Sequence, residues 1–299
     1  MKFSVMGTGD IGGRHGGRHG GRLVVSGHDV IFIARGDRLK DIKANGLVTT
    51  AQFGTPETEI TGLNATDDPA SVGPVDAVVF AVKTYQLETA AEQMKPLIGP
   101  ETMLIPLQNG ITAVDRIGAI IGRKHVIGYS TDIPNAIGEL DGPVSDRVTK
   151  LHSILAEASW NVETADAISS PVWAKAAVYA ACGPIIASRI DFGTAGAFPG
   201  FREQYEASCH EAEVVAHAEG INLDHDFIEH ALSLFDGAVN NVPEHQMSMQ
   251  KDLAAGRPLE LEDLIGVFVH KGKELGVPTP TIKRYYDLLK PHEHGVQPT

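Results

Sequence analysis

Cysteine is nearly absent. Only Cys182 and Cys209 occur in 299 residues, too few for a disulfide framework and in keeping with a reducing, cytoplasmic setting. Positive charge is scarce as well: 25 Lys and Arg stand against 38 Asp and Glu, for a net charge of −13. Phosphate neutralisation dominates affinity for nucleic acid, so a chain this acidic is not expected to bind it. An anionic small molecule would need positive groups placed locally. No apolar run approaches the roughly 18–20 residues of a membrane-spanning helix. The first residues run straight toward a glycine turn, without the successive charged, apolar and cleavage regions of a secretory leader. A membrane partner is therefore not expected. His and Cys form no convincing metal or nucleophile constellation.

Hydrophobic residues make up 42% of the chain and charged residues 21%, which permits a sizeable core in one large domain or two ordinary ones. Residues 2–6, 28–34, 76–82, 102–107 and 125–128 read as strands. Their apolar runs are continuous rather than alternating, as in parallel strands buried on both faces. Helix-prone stretches at 87–97 and 112–121 separate them. Strand and helix in alternation predict an α/β fold, a Rossmann-type doubly wound parallel sheet. From about residue 150 helical patterns dominate, at 148–159, 171–181, 201–219 and 259–275. The expected organisation is a cofactor-binding domain over 1–147, an all-α substrate domain over 148–290, and a disordered tail over 291–299, where Pro, His and Gly concentrate.

Gly7-Thr8-Gly9-Asp10-Ile11-Gly12 fits G-x-G-x-x-G, directly after a predicted strand and opening a helix. Such glycines permit a tight turn and let backbone N–H groups approach a pyrophosphate. Next comes a tandem repeat: Gly12-Gly13-Arg14-His15, Gly16-Gly17-Arg18-His19, then Gly20-Gly21-Arg22. It reads as a small duplication, natural or introduced. Four residues turn a helix through about 400°, so an insertion could lengthen the helix and nearly keep its face; a bulge or looped-out turn is the alternative. Each glycine weakens a helix by up to about 1 kcal/mol relative to Ala. His15 and His19 have i, i+4 metal-ligand spacing, but duplication alone produces it, and no metal is expected.

The second strand ends in Ile33-Ala34-Arg35-Gly36. An NAD enzyme usually has Asp or Glu there, on the ribose 2′-OH. Arg35 suits a 2′-phosphate, since its planar fork can bind two oxygens. NADP is therefore the expected cofactor, with Asp37 as a counter-argument.

Further segments carry a resemblance across nearly the whole chain: Ala81-Val82-Lys83-Thr84-Tyr85-Gln86, Leu107-Gln108-Asn109-Gly110, Trp173-Ala174-Lys175, and Ser248-Met249-Gln250-Lys251-Asp252 followed by Gly256-Arg257-Pro258-Leu259-Glu260. In order and spacing the sequence resembles the ketopantoate reductase family (2-dehydropantoate 2-reductase). The resemblance implies NADPH-dependent reduction of a 2-oxo acid to a 2-hydroxy acid, and a place in pantothenate biosynthesis. It implies Lys83 and Gln86 along the cofactor, Asn109 near the nicotinamide and substrate, Lys175 as proton donor, Ser248 as a substrate-binding serine, and Glu260 as an acidic residue near cofactor and active site. A buried ammonium can both stabilise the charge developing on a carbonyl oxygen and protonate it. On its own, Lys175 reads as a snorkelling helix lysine, Ser248 as any helix or loop serine, and Glu260 as an exposed helix carboxylate.

The chain also departs from the family. Where the family has two asparagines on the face of the lysine, this chain has Tyr179 and Gly183. Lys175, Tyr179 and Gly183 are spaced i, i+4, i+8, which places them on one helix face. Tyr179 can still donate a hydrogen bond to substrate, and Gly183 cannot replace an amide. Ile265 stands where the family has asparagine before glycine. Between residues 128 and 137 only a short linker is expected, in place of extra edge strands. These changes leave open a different 2-oxo acid, another carbonyl or imine on the same scaffold, or a catalytically weak NADP-binding paralogue. A homodimer through the helical domain is compatible with the sequence.

Overall fold

The computed structural model describes residues 1–7, 16–49, 58–131 and 135–296. Its contacts divide the chain into two units. The first comprises Met1–Gln108 and Thr112–Ile168, and the second comprises Asn109–Ile111 and the chain from Ser169 onward.

The first unit contains β1 (Lys2–Met6), α1 (Gly17–Val25), β2 (Asp29–Ile33), α2 (Gly36–Asn45), β3 (Leu47–Thr49), β4 (Thr58–Ile60), β5 (Asn64–Thr66), β6 (Val75–Phe80), α3 (Leu87–Gln93), β7 (Ile98–Pro106), α4 (Ala113–Ile121), β8 (Gly128–Ser130), β9 (Ala136–Gly138), α5 (Asp146–Glu157) and β10 (Glu163–Thr164). Five strands form one sheet in the order β5-β2-β1-β6-β7, every pair parallel. The continuous apolar runs have a direct cause. Ala77 and Val79 of β6 enter one core with Leu23 of α1, Ile42 of α2 and Leu151 of α5. Val78 and Phe80 enter another with Leu87 and Ala91 of α3 and Ile117 of α4. Successive side chains of a strand point to opposite faces, so a sheet covered on both sides needs apolar residues at every position.

The expected strand over 125–128 is instead a single parallel bridge, Leu104 to Val126, followed by β8. The 128–137 segment is also more than a linker. β8 and β9 pair antiparallel, and β10 joins β9 in parallel, making a small second sheet. β3 and β4 form a further antiparallel pair.

The domain boundary falls at Ile168–Ser169, not near 147. Helix α5 buries Val148, Leu151 and Leu155 in the core of the parallel sheet, which ties it to the first unit. Behind it, Ser159 (φ 59°) and Asn161 (φ 49°) take left-handed backbone around buried Trp160. Arg22 of α1 donates to the Ser159 carbonyl at 2.6 Å, and the His19 ring lies 4.0 Å from that of Trp160. Two residues of the repeat thus help hold this segment.

The second unit is helical: α6 (Ser169–Ala181), α7 (Gly183–Ser188), α8 (Phe192–Gly196), α9 (Pro199–Ala218), α10 (Phe227–Asn241), α11 (Ser248–Ala254), α12 (Val267–Leu275) and α13 (Pro280–Leu289). A wider π turn spans Glu262–Gly266 ahead of α12, so the helical run expected over 259–275 is regular only from Val267. Helices α6, α9 and α12 pack around Trp173, Tyr205 and Phe268. Within the expected tail, the described residues 291–296 are tied down. A short helical turn covers Lys290–His292, Leu259 N–H donates to the Glu293 carbonyl at 2.8 Å, and Val296 N–H donates to the Gly256 carbonyl at 2.9 Å. These backbone bonds outweigh what the Pro- and Gly-rich composition suggests.

Among the described residues no helix is long and apolar enough to cross a membrane.

Candidate active site

In the first unit, the strand order reverses between β1 and β6, with Gly7 at the carboxyl end of β1 and Ala81 at that of β6. Gly7 has φ +102°, and a Cβ on it would stand 2.7 Å from the Ala81 carbonyl oxygen. A Cβ on Gly16 would stand 2.6 Å from the Gly7 carbonyl oxygen, and one on Gly20 would stand 2.7 Å from both Phe32 and Val5. Two glycines of the repeat therefore let α1 press against the sheet. Of the cofactor residues expected in the turn, Thr8, Gly9, Asp10, Ile11 and Gly12 lie outside the described residues.

The remaining expected residues of this unit line up along the same carboxyl edge. Arg35 caps α2 just after β2, in extended backbone, and is exposed. Asp37 bonds Lys40 at 2.9 Å. Lys83 opens a short turn, Thr84–Gln86, after β6, with Lys83 half-buried and Gln86 exposed. Arg116 of α4 steadies that turn by donating to the Thr84 carbonyl at 3.0 Å and to both oxygens of Glu88, at 2.7 and 3.0 Å. Gln108, which sequence reasoning did not assign to the site, ties the strand ends together. Its Nε2 donates to the carbonyls of Phe80 (3.1 Å) and Val82 (3.0 Å).

Asn109 begins the short stretch that packs with the second unit. Gly110 follows with φ +93°, and a Cβ there would stand 2.6 Å from the Asp263 carbonyl oxygen. Only a glycine fits this approach.

In the second unit, Lys175 and Tyr179 lie one turn apart on α6, Lys175 half-buried and Tyr179 buried. The Tyr179 hydroxyl meets Ser248 Oγ at 2.9 Å and accepts the Met249 N–H at 3.1 Å. The expectation that Tyr179 itself contacts substrate is thereby altered: its hydroxyl is engaged with α11. Burial raises its pKa far above the ordinary phenol range, and the Glu260 charge adds to this, against its hydrogen bonds with Ser248 and Met249. Glu260 is itself buried, 5% exposed, so it is not a surface carboxylate.

Gly183 does not share a face with Lys175 and Tyr179. Helix α6 ends at Ala181, Cys182 turns the chain, and Gly183 and Pro184 start α7. The space beside Gly183 is filled by Tyr285 of α13, whose Cβ would stand 3.0 Å from a Cβ built there. Ile265 is fully buried in the helical core.

The rest of the Ser248 motif holds the serine in place. Buried Gln250 donates from Nε2 to the Ile190 carbonyl at 2.7 Å and accepts the Met247 N–H at 3.3 Å. Arg257 Nε donates to buried Asp252 at 2.8 Å. Burial pushes the Cys182 thiol up to about 12 and Cys209 higher still, so neither is a thiolate nucleophile.

A parallel sheet with a strand-order switch, glycine-lined at its carboxyl edge and followed by an all-helical unit, defines a Rossmann-type fold with a separate helical unit. Residues 3–139 match the family model for ketopantoate reductase PanE/ApbA, and residues 167–293 match the model for its C-terminal part. The chain belongs to the ketopantoate reductase family, as a divergent member, and is an oxidoreductase acting on CH–OH groups. It is 28% identical to a 2-dehydropantoate 2-reductase of Mesorhizobium japonicum, over 97% of each chain. The crystal structure of a PanE/ApbA family ketopantoate reductase from Ralstonia eutropha superposes with TM-score 0.82 at 27% identity, covering 98% of each chain. A D-mandelate dehydrogenase solved with NADH and anilino(oxo)acetate shares the fold, with TM-score 0.84 at 23% identity and 98% coverage of each chain.

Proposed function

We propose that this chain reduces a 2-oxo acid to the 2-hydroxy acid with NADPH, and that Lys175 is the proton donor. One observation carries the reading. Tyr179, one turn beyond Lys175 on α6, bonds Ser248, which is 69 residues away in sequence. Two residue types the reaction needs, an ammonium and a hydroxyl, thus belong to one packed substructure.

The carboxyl edge of the parallel sheet suits a dinucleotide: Gly7 leaves no room for a side chain beside Ala81, and Arg35 and Lys83 supply positive charge in an otherwise acidic chain. Gly7, Arg35, Lys83 and Gln86 would hold the cofactor, with Thr8 to Gly12 as further proposed contacts. A bound reduced nicotinamide supplies the two electrons. Arg35 would favour a cofactor with a 2′-phosphate, through paired N–H donors.

The protein's own share is positional and protic. Ser248 and Asn109 hold the substrate by hydrogen bonds. The Lys175 ammonium faces the carbonyl oxygen, stabilises the negative charge that develops there and transfers its Nζ proton to it. Glu260 supplies a buried negative charge on the same side of the helical unit. At the family's two amide positions stand Tyr179, engaged with Ser248, and Gly183, covered by Tyr285. With those amides gone, a 2-oxo acid less polar than ketopantoate fits better, because discrimination rests on paired polar groups.

The test is NADPH consumption by the purified protein against a panel of 2-oxo acids that includes ketopantoate, with NADH and Lys175→Ala as controls. Turnover of at least one acid is expected, and a loss of about 10²- to 10⁴-fold in kcat for Lys175→Ala. Absence of turnover across the panel, with NADPH still bound, would remove the reading.

A further inference from the structure

The hydroxyls of Tyr179 and Ser248 form a pair whose direction the surroundings decide. A tyrosine hydroxyl has one proton to give and can accept in return. Tyr179 accepts from the Met249 N–H at 3.1 Å, and its only other partner among the described residues is Ser248 Oγ at 2.9 Å. Tyr179 is 7% exposed. A buried donor left without an acceptor is unfavourable, so its proton belongs on Ser248 Oγ. Ser248 then has a bonded acceptor lone pair and a hydroxyl proton directed elsewhere. Ser248 is only half-buried, and no acceptor for that proton is present among the described residues.

We propose that Tyr179 is a positioning residue which, by donating to Ser248 Oγ, commits the serine hydroxyl to donate to the carboxylate of the 2-oxo acid. The inference rests on the proposed reading of Ser248 as a substrate residue. A free serine hydroxyl rotates between donor and acceptor roles; this one has its acceptor role filled. It discriminates for an anionic oxygen and against a substrate that presents a donor at the same place. Burial keeps the phenol protonated throughout the working range, so the arrangement does not titrate. Gln250, pinned to Ile190 and Met247, fixes the segment that carries the serine, and so keeps the pair in register.

The test uses the full chain saturated with NADP and the unreactive 2-oxo acid analogue oxamate, with binding followed by calorimetry. Tyr179→Phe keeps the ring and removes the hydroxyl. It leaves the Ser248 hydroxyl able to donate but free to rotate, and is expected to weaken oxamate by about 3- to 10-fold, with NADPH affinity unchanged. Ser248→Ala should weaken oxamate at least as much, and the double variant should be no weaker than Ser248→Ala alone. In turnover, Tyr179→Phe should raise KM far more than it lowers kcat. Unchanged oxamate binding in Tyr179→Phe, or additive losses in the double variant, would overturn the positioning role. Unchanged binding in Ser248→Ala would instead overturn the parent reading and this inference with it. Should Tyr179→Phe fail to fold, fluorotyrosine incorporated at Tyr179 is a stronger donor of nearly the same volume. It should raise oxamate affinity, and unchanged affinity would overturn the proposal.

Discussion

A Cβ on Gly183 would stand 3.0 Å from the Cβ of Tyr285, so α7 and α13 meet with no room for a side chain between them. Restoring the family's amide by Gly183→Asn is therefore expected to destabilise the fold by about 1–3 kcal/mol, as overpacking does, and not to restore a ketopantoate site. Chemical denaturation measures the cost. In a Tyr285→Ala background the Cβ contact stays but the ring atoms at 3.4 and 3.5 Å are gone, so the same substitution should cost less. Equal costs in both backgrounds would mean that the residues do not compete.

Gly20 sets two effects against each other. Gly to Ala within a helix gains up to about 1 kcal/mol from propensity. A Cβ at Gly20, however, would stand 2.7 Å from Phe32 and Val5, both fully buried in the sheet core. Packing should win, and Gly20→Ala is expected to lower stability by about 1–3 kcal/mol. A rise in melting temperature would show that α1 can lift off the sheet without penalty.

Arg35 should separate the two nicotinamide cofactors. It is exposed at the end of β2, and Asp37 is paired with Lys40 rather than with Arg35. Arg35→Ala is expected to weaken NADPH by about 10-fold or more while leaving NADH within about twofold, since only the 2′-phosphate loses a charge-assisted bond. Fluorescence titration with each cofactor decides it. Equal losses for both would contradict a role in phosphate selection.

Glu262 should make part of the stability depend on acid. Partial burial pushes its carboxyl up, but hydrogen bonds from Lys290, His270 and Tyr286, with the Lys290 charge, more than reverse this and leave it at about 2, below the ordinary 4.5. A carboxyl depressed on folding adds stability that is complete above its unfolded pKa and fades as pH falls through the folded one. The gap in stability between wild type and Glu262→Gln should therefore be largest near neutrality and shrink between pH 4.5 and about 2. The group is partly exposed, so solvent screening keeps the gap modest. A gap independent of pH over that window would exclude the linkage.

Much of the first unit was legible in sequence. β1, β2, β6 and β7 are long apolar runs and could be read directly. β5 (Asn-Ala-Thr) carries no readable signal, because two polar residues flanking one alanine at a sheet edge make no hydrophobic pattern. Helicity alone does not mark the second domain, since α5 is a helix whose apolar face belongs to the first sheet. Among the proposed site residues, Lys175, Ser248, Asn109 and Glu260 stand in motifs. The roles of Gln108 and Gln250 could not be read there, since each works through bonds to distant backbone carbonyls, which no local pattern announces.

The sequence by itself determined the class: periodicity selects strand or helix, and glycine with positive φ or close approach selects the turn. It also determined which residue types are available for chemistry. Only the tertiary structure decided that Tyr179 lies against Ser248, that Tyr285 occupies the space of a missing amide, and that α6 breaks before Gly183. Those relations join residues far apart in the chain, and they are set by which side chains can share a buried volume and satisfy one another's hydrogen bonds.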